Sequence, residues 1–193
     1  MRAPRVVGFV VSFLFVTLAI AATASRVFAE DAKPAVVALA EGKLKLTAPA
    51  GWEKVKPTSG IVEHEFNVAP SEGDELPARV TVMGAGGSID ANIDRWIGQF
   101  TQPDGGNTKE RAKIEKKEIA GQEVHRVDLS GTYDDSRGPF SGKGVKRPGY
   151  RMLAAIIKTK DRGNYFVKLY GPAKTIGDQA KAFDTMIGSL KVE

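Results

Sequence analysis

The chain contains no cysteine. This excludes disulfide bonds, Cys-ligated zinc, thiol nucleophiles and a lipid-modified N-terminal cysteine. The fold must therefore depend on an ordinary hydrophobic core. The roughly 160 residues that follow the N-terminal segment are enough for one such core and leave little room for a second.

Residue patterns that carry catalysis are also scarce. Only two histidines occur, His64 and His125, and each lies in an alternating segment typical of a β-strand. We expect each to be a hydrogen-bonded residue of the core or the sheet, so we predict no metal site. No G-x-S-x-G motif is present to form a nucleophile elbow. Aspartate and glutamate are common, so a pair of carboxylates acting as acid and base remains an open alternative.

One glycine cluster, "GAGGS" at 84–88, follows a strand-like run and precedes a helix-like run. The dinucleotide motif G-x-G-x-x-G would require glycine at position 89, where the chain has Ile89, and the Gly-Lys-Ser/Thr of a P-loop is also missing. We therefore interpret the glycines as a turn into a helix capped by Ser88, and we predict no nucleotide or other cofactor.

The N-terminus has the layout of a secretory signal. Two arginines precede a long uncharged apolar run, and "VFA" supplies a cleavage site after Ala29. The alternative is that the segment is kept as an anchor, because the run is about long enough to span a bilayer. We predict a signal peptide over 1–29, a linker over 30–41 and export to the periplasm or medium, with no membrane span after cleavage.

Cleavage also changes the interpretation of charge. Three of the 28 basic residues, Arg2, Arg5 and Arg26, leave with the signal, whereas none of the 23 acidic residues does. The formal charge of +5 thus falls to +2. A nearly neutral domain is not expected to bind nucleic acid.

Residues 42–193 are predicted to form a single α+β domain. Alternating apolar residues and a glycine-containing hairpin at 160–164 indicate an antiparallel sheet of about six strands. Two apolar stripes at helical spacing indicate two amphipathic helices that flank the sheet in an α/β/α sandwich. The stripes consist of Ile89, Ile93, Trp96, Ile97 and Phe100, and of Ile176, Ala180, Phe183, Ile187 and Leu190.

The loop predicted over 134–149 is the best candidate for a binding surface. It is long for a compact domain and combines two aspartates with several cations around an aromatic residue. It could contact an acidic surface or an envelope protein, and the alternative is a solvated loop without a binding role. The candidate partner-binding residues are Arg137, Phe140, Lys143, Lys146 and Arg147.

The aromatic residues are most simply explained as core or core-rim residues, with a ligand pocket as the alternative. They are Trp52, Trp96, Tyr165, Phe166 and Tyr170.

Two segments resemble a known fold. "LTAPAGWEKV" at 46–55 is similar to the first hairpin of the PsbP-like fold, and "GPAKTIGDQAKAFDTMIGSLKV" at 171–192 is similar to its closing helix. That fold is shared by photosystem II extrinsic subunits, a Ran-binding nuclear import factor and DcrB-type bacterial envelope proteins. The chain also resembles a group of exported bacterial proteins that contain "GGSIDANIDRW" and "VKLYGP". The resemblance implies a small accessory domain that binds a partner, and it transfers no catalytic residue.

Three functional hypotheses follow. The first is an exported, non-enzymatic accessory or binding domain of the cell envelope. The second is a carrier of a small hydrophobic or anionic ligand, with a pocket between sheet and helix. The third is a hydrolase with a carboxylate site. The sequence does not specify the partner, the ligand or the oligomeric state.

Overall fold

A computed structural model describes residues 33–135 and 144–193. The strands in these ranges are β1 (Ala35–Leu39), β2 (Leu44–Ala48), β3 (Trp52–Val55), β4 (His64–Val68), β5 (Ala78–Ala85), β6 (Phe100–Thr101), β7 (Lys113–Ile119), β8 (Gln122–Asp135), β9 (Val145–Lys158), β10 (Asn164–Pro172) and β11 (Lys191–Val192). The helices are α1 (Ile89–Ile97), α2 (Thr108–Arg111), α3 (Ala173–Asp178) and α4 (Ala180–Gly188). The predicted signal peptide lies outside the described residues.

The main sheet has eight strands, two more than predicted. Its order is β3-β4-β5-β10-β9-β8-β6, with β7 also paired to β8, and every pairing is antiparallel. The predicted hairpin is the β9–β10 turn, where Lys158 pairs with Asn164. The antiparallel α+β prediction is confirmed, while the predicted strand count was too low. The strands β6 and β3 have only two and four residues, which is too few to show a clear alternating pattern.

Each face of the main sheet is covered by a different layer. On one face, α1 buries Ile93 and Trp96 against β8, β9 and β10. On the other, Phe183 and Met186 of α4 and the leucines of a small sheet pack against β5, β9 and β10. This small sheet has the order β1-β2-β11. On the α1 face, Met83 of β5 packs against the cluster that contains Trp96, whereas Glu65 of β4 and Arg79 at the start of β5 place charged groups farther from α1.

Three segments differ from the sequence prediction. Residues 35–39, predicted as part of a linker, form β1, which buries Val37 and Leu39 against the core. Residues 134–135 and 145–149, predicted as parts of a loop, lie in strands, because β8 extends to Asp135 and β9 begins at Val145. The C-terminal helix is divided into α3 and α4 at Gln179.

The glycine cluster turns the chain into α1, as predicted. Gly87 has φ +87°, a left-handed conformation that glycine adopts without strain. Ser88 is the N-cap, and its hydroxyl accepts a hydrogen bond from the Ala91 amide at 3.2 Å. The Asn92 side-chain amide donates to the carbonyl oxygens of Gly86 and Ser88. The turn is thus stabilised by its own residues.

We expect Ser88→Ala to lower the free energy of unfolding by about 1 kcal/mol, because the cap is lost and an α1 amide loses its acceptor. Urea denaturation of the wild type and the variant measures the change. Ser88→Asp is the matched control, since its carboxylate can cap the same amide. If Ser88→Ala is as stable as the wild type, the cap does not stabilise α1.

Candidate functional site

A cleft lies on the α1 face, where β5 and β10 lie beside the C-terminal end of β8 and the N-terminal end of β9. Its volume is about 210 Å³. The exposed side chain of Leu76 stands at its rim and Tyr170 forms part of its wall. The lining residues are Asn67, Leu76, Pro77, Ala78, Arg79, Asp135, Arg147, Tyr150 and Tyr170.

One wall of the cleft is built around Arg79. Its guanidinium donates to both carboxylate oxygens of Glu65, at 2.7 and 2.9 Å, and to the Tyr170 hydroxyl at 2.7 Å. Glu65 is only 3% exposed. The hydrogen bond from Arg79 is the largest of several effects that lower the pKa of Glu65, and its ion pair raises the pKa of Arg79. Both groups therefore remain charged at neutral pH.

The opposite wall repeats this chemistry around Arg147. Its Nε donates to Asp135 Oδ2 at 2.9 Å, and its guanidinium lies 5.9 Å from the centre of the Tyr150 ring. The hydrogen bond to Asp135 raises the pKa of Arg147. Tyr133 stacks on Tyr150, with the two ring planes 4° apart. Each wall thus carries an arginine, a carboxylate and a tyrosine.

The structure describes two of the five predicted partner-binding residues. Lys146 and Arg147 lie in β9 and pair across the hairpin with Asp134, at 2.6 Å, and with Asp135. Of this pair, only Arg147 lines the cleft. Arg137, Phe140 and Lys143 lie outside the described residues.

A lysine that the sequence did not single out lies next to the cleft. The Nζ of Lys168 is 5.7 Å from the centre of the Trp96 ring and 5.5 Å from that of Tyr170. In the part of the chain that the structure describes, no carboxylate lies within 4 Å of this amine. Burial, followed by the charges of Arg95 and Arg79, lowers the pKa of Lys168 to about 8. Its position in the apolar strand "YFVKLYG" was the one signal for it.

The two histidines have separate hydrogen-bond partners. The Nε2 of His64 is hydrogen-bonded to the Ala38 carbonyl oxygen at 2.9 Å, and that of His125 to Glu123 at 2.8 Å. Over 33–135 and 144–193, no group of three or more His, Asp or Glu side chains has the arrangement of a metal site. No helix within those ranges is long and apolar enough to cross a membrane.

Solved structures share this architecture. Cyanobacterial PsbP (CyanoP) from Synechocystis sp. PCC 6803 superposes with a TM-score of 0.50 at 14% identity, covering 84% of this chain and 94% of that one. The fold is PsbP-like. LpqN of Mycobacterium tuberculosis, described as involved in cell envelope biogenesis, superposes with a TM-score of 0.50 at 9% identity, covering 82% of this chain and 90% of that one. No protein-family model matches the chain, and neither does any curated protein sequence.

The resemblance recognised in "LTAPAGWEKV" and the C-terminal segment is confirmed at the level of the fold. In the PsbP-like domain these segments contact each other, because the Trp52 Nε1–H donates to Gln179 Oε1 at 2.9 Å. The identities are low enough that the likeness establishes the fold alone.

Proposed function

We propose that this chain is an exported, non-enzymatic accessory domain of the cell envelope that binds a partner protein at the cleft. The observation that carries the proposal is the cleft's size and lining. At about 210 Å³ it is smaller than most pockets for small molecules, and it suits a single inserted side chain. Tyrosine and arginine are also the residue types that contribute most at protein interfaces.

The state of the two carboxylates supports a binding function over hydrolysis. A general acid must keep its proton near neutral pH, which requires a raised carboxyl pKa. Arg79 instead holds the pKa of Glu65 below its usual range, and Asp135 accepts a hydrogen bond from Arg147. Both side chains therefore position arginines at the cleft. The envelope location is proposed from the signal-like N-terminus and from the description of LpqN.

In-cell photo-crosslinking tests this proposal. A photoreactive residue replaces Tyr150, and the crosslinked protein is recovered from the periplasm or medium. We expect one dominant partner, on a chain cleaved after Ala29. The variant Leu76→Lys should reduce crosslinking about tenfold, because it places a charge at the rim of the cleft without disturbing a buried residue.

Ile114→Lys is the matched control. Ile114 lies on β7, and it is 46% exposed compared with 44% for Leu76. Equal losses with both variants, or no dominant partner, would contradict the cleft as the binding site. A third variant changes Arg137, Phe140 and Lys143 to serine. It leaves β8 and β9 intact, so it tests the predicted loop separately from the cleft.

One observation favours a carrier as a second candidate. A groove of about 700 Å³ lies between β2 and α4, within the volume range of small-molecule sites. Ala48 and Pro49 form one side and Ala182 the other. Saturable binding of a fluorescent fatty acid, abolished by Ala182→Asp but not by Leu76→Lys, would support it.

A further inference from the structure

We propose that Lys168, held between Trp96 and Tyr170 beside the cleft, is an anion subsite that binds a carboxylate group. The subsite deepens the proposed function, on which it rests, because the carboxylate would belong to whatever occupies the cleft. Tyr170 joins the two sites, since its ring lines the cleft and lies 5.5 Å from the Lys168 Nζ.

The first argument is the missing counter-ion. Lys168 lies directly opposite Thr81 of β5, which in turn lies opposite Glu65 of β4. The carboxylate of Glu65 is thus two strands away from Lys168, on the same face of the sheet. Both of its oxygens are engaged by Arg79. Within the described ranges, the ammonium of the half-buried Lys168 is therefore left with two aromatic rings and no acid within 4 Å, although a charge partly withdrawn from water usually has a counter-ion.

The second argument is an independent buried group on the same face. The Thr81 hydroxyl is buried and makes no hydrogen bond to any described residue. Thr81 as a whole is 3% exposed. Buried polar side chains nearly always have a partner. A carboxylate placed on Lys168 offers two acceptor oxygens, one for the ammonium and one for this hydroxyl.

The third argument is the local charge. Lys168 faces Arg95 of α1 and Arg79 of β5, and both guanidiniums add to the positive potential around its amine. Arg95 is exposed and donates to Asn92 Oδ1 at 2.7 Å. No acid in the described ranges lies within 4 Å of it. Glu65 is the nearby negative charge, and Arg79 neutralises it.

The same contacts favour a carboxylate over a phosphate. Arg79 already directs four N–H donations to Glu65, Tyr170 and Thr58. It therefore offers little to the bidentate recognition that phosphates usually receive. The groups that remain to bind an anion are the Lys168 ammonium and the Thr81 hydroxyl. Together they match a singly charged group with two oxygens.

The test measures the pKa of Lys168 by NMR after its amine is labelled by reductive ¹³C-dimethylation, which keeps the charge. Lys168→Met identifies its signal. Capped glutamate (N-acetyl, C-amide) is the probe for a protein side chain, acetate for a free carboxylate, and inorganic phosphate is the comparison. We expect saturating capped glutamate to raise the pKa by about one unit, because binding tenfold more tightly to the ammonium shifts the titration by that amount.

Lys174, which is exposed on α3, is the internal control for general screening. A rise at Lys168 alone supports the subsite. A larger rise with capped glutamate than with acetate assigns it to a protein's acidic side chain, and equal rises assign it to small carboxylates. No rise, an equal rise at Lys174, or a rise with phosphate alone overturns the inference.

The result of this NMR test can be distinguished from the result of the crosslinking test of the proposed function. Intact partner crosslinking without a carboxylate response overturns the subsite and leaves the binding function standing. A carboxylate response without any partner at the cleft overturns the binding function and leaves the subsite standing.

Discussion

Replacing Glu65 with leucine is expected to lower the free energy of unfolding by about 3 kcal/mol, because Arg79 would lose its counter-ion in a mostly buried position. Glu65 is almost completely buried, and it also accepts hydrogen bonds from the Thr58 amide and hydroxyl. Removing one member of such a pair costs about 3–5 kcal/mol. The lower end applies because 29% of the Arg79 side chain is exposed, so water can partly solvate the orphaned guanidinium.

A double-mutant cycle separates the ion pair from simple packing. Glu65→Leu, Arg79→Met and the double variant are compared by urea denaturation at pH 7. The double variant should be clearly more stable than the sum of the two single losses predicts, since no charge is left uncompensated. Additive losses would show that the two side chains contribute independently, and the account of this wall would be wrong.

The pH dependence provides a second check on Glu65. Its pKa in the folded protein is lower than in the unfolded chain. The stabilisation is therefore complete above the unfolded pKa and is lost as the pH falls through the folded one. The difference in stability between the wild type and Glu65→Leu should accordingly shrink as the pH falls below about 4.

The sequence predicts those parts of the fold that depend on local pattern. Alternation identified the antiparallel strands, and the stripe from Ile89 to Ile97 identified α1 together with its cap at Ser88. The predicted helix extended to Phe100, which instead lies in β6 and pairs with Tyr133. Helical spacing alone cannot show that the last apolar residue of the stripe, Phe100, pairs with another strand instead of continuing the helix.

The parts that the sequence missed depend on contacts between distant segments. The alternation of β4 puts Glu65 on the face opposite Phe66 and Val68, but it does not show that Arg79 and Thr58 enclose the Glu65 carboxylate. Residues 134–135 and 145–149 were predicted to lie in a loop, because the charged side chains of this segment indicated exposure to solvent. Asp134 and Asp135 instead pair with Lys146 and Arg147 across the extended hairpin.

The candidate site was missed for a related reason. The aromatic residues predicted to lie in the core or at its rim include Trp96 and Phe166, both 1% exposed, and Tyr170. Tyr170 is only partly buried and lines the cleft. A residue of β10 can line the cleft only beyond the end of the surface that α1 covers. The periodicity of the sequence does not show where that covered surface ends.

Lys168→Met is expected to stabilise the domain at pH 7 by about 1–2 kcal/mol, although it removes contacts with two aromatic rings. Burial lowers the pKa of Lys168 to about 8 from 10.5. A shift of one unit corresponds to about 1.4 kcal/mol, so the folded state holds the charged amine at a cost of a few kcal/mol. Cation–π attraction to Trp96 and Tyr170 offsets part of this cost. Methionine keeps the length of the side chain and removes the charge.

The sign of the pH dependence makes this prediction specific. Below about pH 8 both states carry the proton, and the cost is fully present. Between about pH 8 and 10.5 the unfolded chain binds the proton more tightly, so the wild type gains stability as the pH rises. The advantage of Lys168→Met should therefore be largest at pH 7 and nearly disappear by pH 10.5. Urea denaturation across this range measures it.

Lys160→Met, at an exposed position in the β9–β10 turn, is the matched control and should change stability by less than about 0.5 kcal/mol at every pH. A destabilised Lys168→Met at pH 7 would mean that its ammonium is already satisfied in the fold. A stabilised Lys168→Met, together with a rise in the Lys168 pKa of the wild type on adding capped glutamate, would show that this position exchanges stability for binding. That exchange is characteristic of a functional site, because a charge kept without a counter-ion is available to a ligand that supplies one.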